Sequence, residues 1–319
     1  MSAEFAAPTR KFSDPLRTAD GKPRARVAFE RLETLWINTG TLCNIACAHC
    51  YIESGPANDR LAYFSVDDLA PLLDEARRMG ASQIGFTGGE PFMNPQMIDM
   101  ARMCLAAGFA VLILTNAMRP MMRPKTGAAL LELKRDFGER LALRVSLDHF
   151  TAAAHDAERG PGAFEAALTG LEWLAVEGFR VSVAGRRAMS ESDGAARAGF
   201  AALFRERRLP IDVRDPLALV LFPEMDAGKE TPEISTACWD IVGLEPSAVM
   251  CATSRMAVKR RGAHAPVVLA CTLIPYDERF EMGATIAEAA RPVSLNHPHC
   301  SRFCVLGGAS CAPKPVGPA

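Results

Sequence analysis

The sequence predicts an α/β fold built on a parallel sheet, followed by a smaller cysteine-rich region. Three observations carry this expectation. Short apolar runs alternate with helix-period stretches from Glu33 to about Leu221. The connections between the runs are long enough for the crossover helices that parallel strands require. After Leu221 the periodicity lapses, and Pro, Gly and Cys become frequent. A chain of 319 residues, 49% hydrophobic and 23% charged, suits one large domain with a smaller one. Its net charge of -1 excludes a strongly basic nucleic-acid coat. No apolar run approaches the roughly 18 residues a membrane helix needs.

Residues 1–28 read as a loose basic tail, with Arg10, Lys11, Arg17, Lys22, Arg24 and Arg26 outnumbering Glu4, Asp14 and Asp20. Leu35–Ile37 is the first strand. Ser65 and Asp68 form a capping box, and Leu69, Leu72, Leu73, Ala76 and Met79 share the face of the helix that follows, stopped by Gly80. Gln83–Thr87 is the second strand. A helix over Pro95–Ala107 stops at Gly108. Ala110–Thr115 is strand, Thr126–Phe137 helix and Leu141–Leu147 strand. Phe164–Glu177 is helix and Phe179–Ala184 strand. Gly194–Arg208 is helix, and Ile211–Leu221 holds a sixth strand. A curved, incomplete barrel and a doubly wound sheet both satisfy this order.

Ten cysteines in a long chain whose first residues, MSAEFAAPTRKF, lack a secretory apolar stretch read as metal ligands before disulfides. Cys43-Asn-Ile-Ala-Cys47-Ala-His-Cys50 follows the first strand, on a loop. Three thiols so close in sequence can converge on one centre. Zinc would want a fourth ligand, and His49 beside Cys50 is awkwardly placed to supply it. An iron–sulfur cluster takes thiolates directly, and three of them leave one iron of a four-iron cluster open. Gly88-Gly89-Glu90-Pro91, Thr115-Asn116 and Ser146-Leu147-Asp148 end the next three strands. The glycines allow unusual φ and close backbone approach. Glu90 can accept hydrogen bonds from an ammonium group. Thr115 and Asn116 can hydrogen-bond a carboxylate or a sugar, Ser146 and Asp148 can take sugar hydroxyls, and all four can instead cap strand ends.

CxxxCxxC after the first strand, with the GGEP, TN and SLD segments, resembles the radical SAM superfamily over about residues 33–221. The resemblance implies a partial (β/α)6 TIM-like barrel. It implies a [4Fe-4S] cluster on Cys43, Cys47 and Cys50 that binds S-adenosylmethionine at its open iron. Reductive cleavage would then give a 5′-deoxyadenosyl radical that abstracts a substrate hydrogen. It further implies cofactor contacts from His49, Gly88, Gly89, Glu90, Thr115, Asn116, Ser146 and Asp148. His49 stands where the family usually carries an aromatic residue. Arg187 can pair with a carboxylate or be solvated.

Cys104 lies in a Met-rich helix and reads as a small buried hydrophobe. Cys251, Cys271, Cys300, Cys304 and Cys311, with Gly262 and Gly283 between them, resemble the SPASM/twitch extension of that superfamily, although the interval from Cys251 to Cys271 is long. The resemblance implies an auxiliary [4Fe-4S] cluster on Cys251, Cys271, Cys300 and Cys304, with Cys311 able to replace one of them. Cys238 is left open among free thiol, second-cluster ligand and hydrogen donor. His297 and His299 read as hydrogen-bonding neighbours of the ligands. Tyr276, Asp277 and Glu278 read as a solvated loop or a substrate face. Glu224 and Asp226 are candidate general bases.

The expected organisation is a tail over 1–28, a barrel over 29–221 and a SPASM/twitch-like small Cys-rich iron–sulfur domain over 222–319. The expected protein is a cytoplasmic radical SAM oxidoreductase acting on a small-molecule or peptide substrate. A low-potential donor such as flavodoxin or ferredoxin would feed it electrons, and no membrane or nucleic-acid partner is expected. The competing reading is a non-catalytic binding protein stapled by zinc or an iron–sulfur cluster.

Overall fold

The computed structural model describes residues 10–187, 191–223 and 230–308. Six strands pair in chain order, all parallel: β2 Thr34–Asn38, β3 Gln83–Thr87, β4 Ala110–Thr115, β5 Leu141–Ser146, β6 Arg180–Arg187 and β7 Leu219–Pro223, after a short β1 at Arg26–Val27. Helices α1 Val66–Arg78, α2 Met97–Ala106, α3 Pro124–Phe137, α4 Ala152–Arg159, α5 Ala163–Val176 and α6 Asp193–Glu206 make the crossovers. The sheet continues past β2 into β8 Ser254–Val258, which is parallel to it. Antiparallel β9 Val267–Leu269 and β10 Glu281–Gly283 follow, and β10 and β7 form the two edges. The result is a partial (β/α)6 barrel whose first strand carries, on its open side, a strand from the cysteine-rich region. Short helices α7 Cys238–Val242 and α8 Ile286–Ala289, and β11 Val293–Ser294, complete the description.

Strand alternation separates two cores. Leu35 and Ile37 of β2 belong to the large core packed under the helices, with Ile84, Phe86, Ile113 and Leu143. Trp36, between them, faces inward and joins Leu112, Met256, Val258, Leu269 and Phe303 in a second core inside the barrel. The Ser65 capping box forms, with Ser65 Oγ accepting from Asp68 N and Asp68 Oδ2 accepting from Ser65 N. Lys259 places its Nζ 2.8 Å from Asp68 Oδ1, which ties the start of α1 to the end of β8.

Several elements depart from expectation. The sixth strand begins only at Leu219, because Asp212 and Asp215 fold the preceding stretch into turns by accepting from Arg214 N and Leu217 N. α4 is not foreshadowed by the sequence, since AAAHDAER has no large apolar residue and so no helical stripe. Residues 10–28 are not a loose tail. Arg24 is buried and pairs with Glu233 at 2.5 Å, and β1 pairs with β11. Glu224, Asp226 and Cys311 lie outside the described residues.

Candidate active site

A cavity of about 180 Å³ opens at the C-terminal ends of the parallel strands. Cys43, Cys47 and Cys50 line it, together with Gly88, Gly89, Thr115, Asn116, Ser146 and Asp148, which come from the ends of β3, β4 and β5. These are where a parallel α/β barrel collects its chemistry. The loop carrying the three thiols is anchored from several sides. Cys43 N donates to Gly55 O at 3.1 Å, Ala48 N to Glu158 O at 2.8 Å, and Tyr276 Oη to Ile52 O at 2.7 Å. Burial pushes the Cys43 thiol up to about 12, and it raises Cys47 too, against the pull of Arg159. Metal binding at these thiols must therefore expel protons.

The two glycines of the GGEP segment serve the chain itself. A Cβ on Gly88, whose φ is +135°, would stand 2.5 Å from Gly40 O, and one on Gly89 would stand 2.1 Å from Leu42 O. Their absence lets Gly89 N and Glu90 N donate to Gly40 O and Leu42 O, at 2.8 and 3.1 Å, so the loop after β3 supports the cysteine loop directly. Glu90 lies behind the cavity wall, 1% exposed. Its carboxylate accepts from Phe92 N, Thr115 Oγ1 and Asn116 N at 3.2, 2.8 and 2.8 Å. Burial raises its pKa to about 7 against those three donors. The Asn116 amide donates to Asn44 Oδ1 at 2.9 Å and so straps β4 to the cysteine loop. His49 is turned outward, its ring 3.0 Å from Glu158.

Positive charge in the cavity comes from residues that no sequence motif marks. Arg144, Arg159 and Arg186 all line it. Arg159 grips Asp148 with two bonds, Nε to Oδ2 at 2.8 Å and Nη2 to Oδ1 at 3.1 Å. Burial would raise the Asp148 carboxyl, but Arg159 and then Arg186 outweigh it and hold the carboxyl low. His155, fully buried on α4, accepts from Asp148 N at 3.1 Å, and burial lowers its pKa to about 4. Arg159 and His155 are hidden in the sequence together with their helix. Arg186 is legible by parity: it shares the inward face of β6 with Ser182, which accepts from Arg144 Nε on β5 at 3.1 Å. Arg187, the candidate from the sequence, points the other way and donates to Glu191 O at 2.9 Å.

A second, smaller cavity of about 20 Å³ lies in the later chain. Cys251, Cys271, Cys300 and Cys304 line it with His299, and the other lining side chains are apolar. Burial raises Cys251 to about 11 and Cys300 to about 12. Cys238 is elsewhere, 3.5 Å from Ser235 Oγ, and Cys104 is buried in α2. Leu273 belongs to the walls of both cavities. The Tyr51 ring, next to Cys50, meets His299 and Phe303 edge-on at 6.4 and 6.0 Å between centroids.

The residues fit the groups the sequence motifs call for. Trp36 Nε1 and Ser54 Oγ are buried on the first cavity's wall without a hydrogen-bond partner, and a bound group there can satisfy them. Both donor sets are thiol-rich, the chemistry that holds iron–sulfur clusters. No two of the nine described cysteines form a disulfide. Among the described residues, no three His, Cys, Asp or Glu side chains meet at one point as ligands of a single ion. No helix among them is long and apolar enough to cross a membrane.

Residues 37–187 match the family model described as the radical SAM superfamily. Mycofactocin maturase MftC of Mycobacterium ulcerans (strain Agy99) is 32% identical over 137 residues, 43% of this chain and 35% of its own. An AdoMet-dependent heme synthase of Methanosarcina barkeri (strain Fusaro / DSM 804) is 34% identical over 136 residues, 41% of this chain and 36% of its own. The match thus spans about a third of the length of these curated relatives. Streptococcus suis SuiB bound to S-adenosylmethionine shares the fold, with a TM-score of 0.58 at 12% identity over 80% of this chain and 63% of that one. Residues 37–187 thus carry a radical SAM superfamily domain.

Proposed function

We propose that the protein is a radical SAM enzyme that acts on a peptide or small-molecule substrate, with a second iron–sulfur site in its later chain. The observation that carries this reading is the shared cavity: Cys43, Cys47 and Cys50 face Ser146 and the Asp148–Arg159 pair across one space at the barrel mouth. When bound, a [4Fe-4S] cluster and S-adenosylmethionine supply a 5′-deoxyadenosyl radical that takes a hydrogen atom from the substrate. The chain's own part is to bind, orient and exclude water. Cys43, Cys47 and Cys50 hold the cluster. The Gly88–Gly89 backbone, Thr115, Asn116 and Ser146 border the cofactor, while Glu90 keeps the ends of β3 and β4 in register behind it. Asp148, fixed by Arg159, offers its remaining acceptor capacity to ribose hydroxyls. Phe222, Leu273 and Phe303 close the apolar side of the cavity, which shields a reactive species from solvent.

Cys251, Cys271, Cys300 and Cys304, which line one cavity, would hold an auxiliary cluster in a SPASM/twitch-like arrangement, and such a cluster would supply an acceptor for the second electron of a net two-electron oxidation. A flavodoxin or ferredoxin is the donor to the first site. SuiB bound to precursor peptide SuiA among the folds, and the bacteriocin subtilosin biosynthesis protein AlbA among the sequence relatives, favour a peptide substrate. Anaerobically purified protein is expected to be brown, with about seven to eight irons from two four-iron sites. With dithionite it is expected to release 5′-deoxyadenosine. Cys47→Ala is expected to abolish that product while keeping the iron of the later chain. A colourless, zinc-loaded native protein that leaves S-adenosylmethionine intact would overturn the reading.

A further inference from the structure

A buried cation is costly unless an opposite charge stands beside it. The described chain follows this rule at Arg24, which meets Glu233, and at Arg159, which meets Asp148. Arg255, in the middle of the β8–β2 pairing, does not. It is 1% exposed. Its guanidinium donates from Nε to Ala289 O at 2.8 Å, from Nη1 to Cys251 O and Ser254 O at 2.6 Å each, and from Nη2 to Arg291 O at 3.0 Å. The Phe29 ring centroid lies 4.4 Å away. Carbonyls satisfy the donors but leave the charge, and Arg does not release its proton in proteins. Among the described residues, the ionisable groups that act on Arg255 are Cys251, Arg291 and Cys271. Arg291 has the same sign. The two cysteines line the second cavity, and cysteine binds metal as a thiolate.

We propose that Arg255 is the built-in counter-charge of the Cys251/Cys271/Cys300/Cys304 site and holds the reduction potential of that site up. The inference rests on the reading of these four cysteines as cluster ligands. One electron added there deepens the negative charge next to a fixed cation in a water-poor interior, where such attraction is strongest. Arg255 therefore favours the reduced state and makes the site a better acceptor of the electron a substrate radical must lose. It acts as a positioning and tuning residue, without touching substrate.

The test uses the full chain with Cys43, Cys47 and Cys50 changed to Ala, reconstituted anaerobically with iron and sulfide, so that the signal comes from the later site alone. Iron content is measured first, then the potential by a dithionite titration followed by EPR. R255K is expected to titrate with the parent. R255Q, which keeps donors but not charge, is expected to need a potential lower by at least a tenfold change in reduced-to-oxidised ratio, about 59 mV for a one-electron couple. R255Q titrating with the parent would overturn the proposal while leaving the iron site standing. R255K shifted away from the parent would also overturn it, because hydrogen-bond geometry rather than charge would then be responsible. Should R255Q fail to fold, R255M, which also removes the charge, is read in its place with the same expected shift and the same overturning result. An iron-free parent would instead overturn the cluster reading, and the proposal with it.

Discussion

His155 and Glu90 carry opposite pH signatures within one site. The His155 imidazole has its pKa lowered from 6.5 to about 4, chiefly by burial. Between those values the unfolded chain takes up a proton that the folded chain refuses. Its contribution is therefore complete above pH 6.5 and is lost as pH falls toward 4, by up to about 3 kcal/mol. Glu90 is raised from 4.5 to about 7, so its folded form binds the extra proton and stability declines as pH rises through that window. His155→Gln, which keeps an acceptor for Asp148 N, is expected to flatten the acid limb between pH 6.5 and 4 in urea-unfolding curves. Arg159→Met removes both bonds to the buried Asp148 carboxylate and leaves only Arg186, 4.0 Å away, beside it, and the expected loss is about 3 kcal/mol in the same assay. If Asp148→Asn combined with Arg159→Met recovered none of that loss, the buried charge would not be its source. At this scale the three early thiols, the glycine pair and the strand-end polar residues are legible because their spacing is local. Their partners are not. Glu158 and Tyr276 reach the cysteine loop from far along the chain, and only strand parity separates Arg186 from Arg187.

Among the elements, α5 packs directly against the turn beside the site. A Cβ at Gly170 would stand 1.9 Å from Ala117 O, in the turn that follows Asn116. Gly170→Ala is therefore expected to push α5 off the end of β4 and cost about 1–3 kcal/mol, despite alanine's better helix propensity. Thermal unfolding checks this, and a rise in melting temperature would show that the helix relaxes freely. The main strands and crossover helices can be read from apolar periodicity and glycine stops. α4 cannot, because an eight-residue Ala-rich helix buries only His155 and shows no stripe. β8 is equally hidden. SRMAV is fully buried, so it carries no alternation, and it follows a long irregular stretch.

On the scale of the molecule, the cysteine-rich region is part of the sheet. β2 is paired on one edge by β3 and on the other by β8, and its two faces are buried under the helices and inside the barrel. A chain ended at Pro223 would leave β2 as a bare apolar edge, and such edges recruit other chains. Size-exclusion chromatography is expected to show the shortened protein as aggregate where the full chain elutes as a discrete species. A well-behaved shortened protein would mean that β2 is protected by other means.

The shared seam also limits how the proposed enzyme would work. Ladder bonds from β2 to β8, and a single leucine at position 273 standing in both walls, leave no hinge among the described residues between the two thiol pockets. Their separation is set when the chain folds, so on the proposed reading a substrate would be threaded in through the mouth toward a fixed second site, its size gated by the rim rather than by any parting of halves.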